Sequence, residues 1–282
     1  MTKYSVENTD FVDLQGVNGG AIYFLLNEGS SNIHISFSSF IYCRTNSTGG
    51  AIYSVGGQYY ANNICGYFCY TKGDGSFSLS KPYNYESIHK FSMVSCLNCG
   101  RKIENRAFSI YRGTQTIREI NSTNNQAVGY GAFAMEPYDT NGKLNAQFVQ
   151  ICNDTGSYIV NFYNGISIVS NFVFNLCYNY SYLIRIDLGK LNISYSEFIN
   201  NGKDGYVITS SENGVAYIQY CYIDQNVGKD LSSFNIENNI SNYTTSHSKI
   251  KAEFCHAQIF VSHRCINHFN ISLLLYSVFI SI

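Results

Sequence analysis

The 282 residues carry 18 Lys and Arg against 19 Asp and Glu, a formal net charge of −1, with only 13% of positions charged. So small a balance gives no field for nucleic acid or for an anionic membrane surface, and neither nucleic-acid binding nor electrostatic membrane docking is expected. The 25 Tyr and 19 Phe, with only two Pro, suit pleated strands that keep their ladder donors, and solubility falls to Asn, Ser, Thr and Tyr.

Residues 1–18 contain no apolar core of a signal peptide, and Phe11-Val12-Asp13-Leu14 already reads as a strand. The chain therefore begins inside or beside a first coil without an amphipathic cap, as a fragment of a longer protein would. Next, Gly19-Gly20-Ala21-Ile22-Tyr23 returns as Gly49-Gly50-Ala51-Ile52-Tyr53, 30 residues later by subtraction. An identity of this kind is an internal repeat. Following the same turn-then-apolar pattern places a core ladder at Ile22, Ile52, Phe77, Phe108, Phe133, Ile159, Ile184, Ile208 and Phe234. Between the markers lies a second recurring piece. Ile33–Phe37 followed by Phe40–Cys43 matches Leu191–Tyr195 followed by Phe198–Asn201, and both alternate apolar and polar side chains with the period of a strand.

Three short strands per unit of about 25 residues predict an all-β chain. Specifically, the pattern predicts a single right-handed parallel β-helix of eight or nine coils over residues 1–245, each coil rising about 4.8 Å. Gly19, Gly20, Gly49 and Gly50 are read as repeat corners, where φ > 0 is needed. A phosphate loop would require a helix and a Lys-Ser/Thr next, whereas Tyr-Phe-Leu and Tyr-Ser-Val follow. Residues 71–150 carry irregular spacers, read as loops at coil corners, and residues 151–240 are the most regular stretch. Residues 246–282 form a C-terminal extension, irregular with an apolar end. Its last segment, 271–282, is uncharged but as a helix would span only about 18 Å of a ~30 Å bilayer core. It reads as the start of a membrane anchor or as a strand packed on the rod, and membrane association through it is an expectation.

Ten cysteines are moderate for this length. Cys43 to Cys69 and Cys152 to Cys177 are each close to one coil apart, so these four are expected as stacked thiols or disulfides. Cys65-x3-Cys69 and Cys96-x2-Cys99 fall in strand and turn positions instead of on tight knuckles, and no metal or other cofactor is expected from them. The Asp residues are scattered singly in turns. Asn8-Thr9-Asp10 and Arg185-Ile186-Asp187 each half-match a polygalacturonase signature, but no Asp-Asp pair or His-Gly follows, and Arg185 with Asp187 reads as an exposed pair. No catalytic set emerges.

The Gly-Gly-Ala-Ile tetrapeptides at Gly19–Ile22 and Gly49–Ile52, with Phe-x-x-Asn at Phe198–Asn201 and its Cys variants at Phe40–Cys43 and Phe174–Cys177, resemble the repeat pair of chlamydial polymorphic outer-membrane proteins. They resemble more closely the repeats of trichomonad surface-type proteins. The resemblance covers roughly residues 15–245 and implies a β-helical, surface-exposed protein with an adhesive or unknown function; with no catalytic set in the sequence, the expectation is a non-enzymatic surface or extracellular protein with an adhesive or scaffolding role. Its partner would be a protein or glycan. The alternative on the same pectin-lyase-like scaffold is a carbohydrate-active lyase or hydrolase, or an inactive relative.

Overall fold

The computed structural model describes residues 2–26, 31–83, 86–100, 106–128, 133–136, 142–201, 206–211, 214–223 and 235–237. Among them every regular element is a strand, and the strands pair in parallel from one coil to the next. One eight-stranded sheet runs from Ile22–Leu25 through Ile52–Val55, Ser78–Lys81 and Phe108–Tyr111 to Tyr206–Ser211 and forms the first face of the coil. A thirteen-stranded sheet contains longer strands, among them Ser31–Ile41, Gln58–Tyr67, Ile88–Leu97, Thr114–Thr123, Lys143–Cys152 and Ile166–Asn175. Each of these bends in the middle and so supplies two faces. Among the described residues the result is a parallel β-helix of about seven turns, short of the eight or nine coils expected.

The bend is a single left-handed residue repeated in every coil. Asn8, Phe37, Asn63, Met93, Glu119, Phe148, Asn171, Tyr195 and Tyr220 have φ between 49° and 57° and stand over one another in the register. A second column, from Asp13, Tyr42 and Phe68 through Asn98, Asn124 and Asn153 to Leu176 and Asn200, closes the third face with φ between 51° and 56°. A non-glycine residue in this region costs about 1–2 kcal/mol. Against that cost, the inter-coil ladder continues unbroken through the second bend: the Tyr42 N–H donates to the Tyr67 carbonyl at 2.9 Å and the Asn98 N–H to the Thr123 carbonyl at 2.9 Å.

At the corner that leads into the first face, the two glycines of the repeat do different work. Gly19 and Gly49 have φ of 60° and 64°. Gly20 and Gly50 are needed for close approach, since a Cβ on Gly50 would collide with the Ser76 carbonyl and one on Gly20 with the Gly50 carbonyl. The repeated pentapeptides stack as expected, with Ile22 over Ile52 and Tyr23 over Tyr53.

The ladder beyond them needs correction at two rungs. The column runs Ile22, Ile52, Ser78, Phe108, Phe133, Val160, Ile184, Ile208, so Phe77 and Ile159 each stand one residue early. The reason is that two successive residues are buried where the chain enters this face, as in Ala51-Ile52, Phe77-Ser78, Ala107-Phe108, Ile159-Val160 and Leu183-Ile184. Hydrophobicity alone does not tell which of the two is in register. At Phe77-Ser78 the large and small members are exchanged, and the Phe77 ring fills the space above Gly66, where any Cβ would strike it. Phe77 lies 6.0 Å from Phe40 and 6.1 Å from Phe108, ring centre to ring centre, so the interior stays continuous. Each such fully buried ring contributes on the order of 2–3 kcal/mol. Across the interior, Tyr59 and His89 on the second face oppose Ser54, Ser78 and Ser80 on the first. His89 Nδ1 lies 3.2 Å from Ser80 Oγ, and complete burial lowers its pKa to about 3, so the imidazole is neutral. Phe234 and all of 246–282, including the apolar end, lie outside the described residues.

The cysteine expectation holds for one pair and fails for the other. Cys43, Cys69 and Cys99 each directly follow a left-handed residue of the second column and stack, their Sγ atoms over the coil below. Cys152 instead pairs with Asn175, and the residue beneath Cys177 in the corner column is Asp154, because this coil is two residues shorter than the 25 that separate the cysteines. All four are buried thiols, none in a disulfide. The corner column also explains the Phe-x-x-Cys and Phe-x-x-Asn variants. The Cys43 thiol donates to the Phe11 carbonyl at 3.5 Å, and the Asn201 amide donates to the Phe174 carbonyl at 3.1 Å.

Candidate functional site

On the first face the outward side chains are those alternating with the buried column. In the middle coils even these are covered: Leu79, Ser109, Ala134 and Asn161 are all buried. Lying over this region is a polar network built from corner residues and strand ends. Arg106, just before the strand Phe108–Tyr111, bridges two carboxylates, with Nη1 2.9 Å from Asp74 Oδ2 and Nη2 3.1 Å from Glu136 Oε1. Asn161 Nδ2 donates to the same Glu136 oxygen at 2.6 Å, and the Tyr111 hydroxyl donates to Asp74 Oδ2. The Tyr111 ring lies beneath two cations, with Arg106 5.0 Å and Lys81 4.9 Å from its centre. Farther along, Arg185 Nε meets Asp187 Oδ2 at 2.6 Å, Nη1 donates to the Tyr158 hydroxyl at 3.1 Å, and Tyr158 stacks on Tyr182.

Burial raises the Glu136 pKa, opposed by the Arg106 guanidinium and the Asn161 amide and reinforced by the carboxylates of Asp74 and Asp187. Among the described residues, Glu136 Oε2, Asp74 Oδ1 and Asn161 Oδ1 are buried acceptors without a hydrogen-bond partner. Both carboxylates of the network are bridged by a guanidinium, so the arrangement holds charge in place more readily than it passes a proton. Among the described residues, no group of three or more His, Cys, Asp or Glu is placed to hold a metal ion.

Of the two half-matched signatures, Asn8 is a left-handed corner and Asp10 accepts from Ser39. The Arg185–Asp187 pair is present but not exposed, since the Asp187 side chain is only 4% accessible. Asp187 stands on a strand end two coils from Glu136, and the column between them is continuous. The network as a whole is not apparent from any local motif. Its members, Asp74, Arg106, Glu136 and Asn161, lie 32, 30 and 25 residues apart by subtraction, and charged or amide residues recurring at one coil's length are the signal that marks them.

Elsewhere the outer surface carries aromatic pairs stacked from coil to coil. Tyr23 on Tyr53, Tyr158 on Tyr182 and Tyr195 on Tyr220 have ring planes within 11°, 5° and 9° of parallel. His34 stacks on Tyr60 at 4.7 Å beside a trough of about 440 Å³ on the second face, which Lys90, Asn62 and Ser36 also line. Compared with protein-family models, with curated proteins and with solved structures, the chain matches none.

Proposed function

We propose that the protein is a non-enzymatic binding rod, displayed at a cell surface or outside the cell, that makes adhesive or scaffolding contacts with a protein or glycan partner. The observation that carries this reading is the set of stacked aromatic pairs on the outside. Tyr23 is 46% exposed, Tyr195 42% and Tyr220 37%, so these rings present flat apolar surface to solvent at the coil spacing, where a folded chain gains nothing by leaving it uncovered. Rigid aromatic platforms of this kind are what binding surfaces enrich. The sparse charge of the chain favours contact by stacking over contact by ion pairing.

The test is retention of the immobilised full chain on panels of extracellular-matrix proteins and glycans. Replacing Tyr195 and Tyr220 by Ser is expected to reduce retention about tenfold while leaving the melting temperature within a few degrees. Retention on neither panel would overturn the reading.

A second reading rests on Glu136. A buried carboxyl with a raised pKa, two coils from Asp187 and hence about 10 Å away along the backbone, is near the carboxylate spacing of an inverting glycosidase. It is tested by turnover of a uronan and neutral-glycan panel, and sustained by it only if Glu136→Gln abolishes that turnover.

A further inference from the structure

Beside the polar network, where the first face turns into the second, lies a groove of about 400 Å³ lined by Val55, Lys81, Pro82, Tyr83, Tyr111 and Arg112. Among the described residues its lining contains two cations, two tyrosines and no acid. We propose that this groove binds an acidic saccharide, one sugar ring lying on the tyrosine wall with its carboxylate or sulfate between Lys81 and Arg112. This rests on the binding-rod reading and assigns it a ligand class.

Three observations support that occupant. First, the platform is fixed in advance: the Tyr111 hydroxyl is held by Asp74 and its ring by Arg106, so binding need not order it. Second, Lys81 forms no ion pair with a carboxylate among the described residues; its ammonium instead sits over the Tyr111 ring, at the edge of the groove. Third, Arg112 is a left-handed residue with φ of 57°, and its Nη1 reaches the Tyr83 carbonyl at 3.3 Å, which turns the guanidinium across the groove. A flat aromatic wall takes the C–H face of a sugar, and the adjacent cations select an anionic one. An acidic peptide would use the cations but not the wall.

The experiment is calorimetric titration of the full chain with a uronic-acid oligosaccharide, with its carboxyl-reduced neutral counterpart, and with a poly-glutamate peptide of equal charge. The expected result is binding of the acidic oligosaccharide at least tenfold tighter than of either other probe. Lys81→Gln and Arg112→Asn should each weaken it about tenfold, whereas Lys190→Gln, three coils farther along the second face, should not. Asn tolerates a left-handed backbone, so Arg112→Asn keeps the corner, and unchanged melting confirms that the fold survives. Equal binding of poly-glutamate overturns the saccharide assignment. Binding that survives both groove substitutions, or binding of the neutral sugar alone, overturns this site while leaving the binding rod standing. Failure to bind any probe overturns the site as well, and failure on the protein and glycan panels besides takes the rod with it.

Discussion

The corner that closes the third face is built in two ways along the rod. In the early coils it holds thiols: Cys43 lies 3.5 Å from the Phe11 carbonyl and 3.7 Å from the Ile41 carbonyl, and Cys69 lies 3.3 Å from the Phe40 carbonyl and 3.7 Å from the Tyr67 carbonyl, weak bonds from small, apolar side chains. In the later coils amides and one carboxyl enter beside the thiol of Cys177. Asn125 accepts from the Cys99 N–H at 2.7 Å and donates to the Cys96 carbonyl at 2.8 Å, so that it joins two coils at both ends of one side chain. Asn201 does the same with the Cys177 N–H and the Phe174 carbonyl. Asp154 accepts from the Asn125 N–H and Ser122 Oγ but, ionised, has no donor to return. The difference shows what the corner requires: the left-handed residue before it sets the backbone, and the corner side chain must be small and inward and must satisfy whatever groups the neighbouring coil leaves open.

The comparison is broken most forcefully by removing an amide. Asn125→Leu leaves the Cys99 N–H and the Cys96 carbonyl buried without partners and is expected to destabilise the chain by about 2–5 kcal/mol, read from urea unfolding. Asp154 sharpens it through pH. Burial is the first cause that raises its pKa to about 7 from the usual carboxylate value, ahead of the hydrogen bonds from Ser122 and Asn125 that oppose it. The protonated form is therefore the one the fold favours. Its contribution is complete below about pH 4, is lost as pH rises towards 7, and is absent above that, a change of at most about 4 kcal/mol. Asp154→Asn should flatten the stability profile between pH 4 and 7 and stabilise the protein at pH 8; an unchanged slope would show that the carboxyl stays ionised in the fold. At the thiol end, Cys69→Ala should cost only about 1 kcal/mol, since only weak thiol bonds and a little packing are lost. The smallest effect belongs to the bend itself. Leu176→Asn keeps φ of 53° with a residue that tolerates it and should stabilise by about 0.5–1 kcal/mol in thermal melts.

What could be read from the residues follows the same division. The Gly-Gly-Ala-Ile-Tyr pair marks one coil because that corner needs glycine for two separate reasons, and the need is visible as identity. Phe-x-x-Cys and Phe-x-x-Asn are legible because the inward ring and the corner donor are three residues apart on one strand end. The two left-handed columns leave only a weak mark, since Asn recurs in them but Phe37, Met93, Glu119 and Leu176 occupy other rungs. Phe77 misleads because its ring is housed by a missing side chain at Gly66, a compensation 11 residues away by subtraction. Cys152 misleads because coil length varies, and a separation of 25 residues is a register only where the coil is that long. The Arg106 network was scattered among loops and strand ends, and only the register of several coils brings it together.

The parallel pairing also determines how the rod would carry load. Hydrogen bonds between coils run along its length, so a pull from one end falls on a single rung at a time, and the chain peels turn by turn at low force. A pull across the faces is shared by every stacked rung at once. An attachment made through the side walls, where the tyrosine pairs stand, loads the structure in its strong direction.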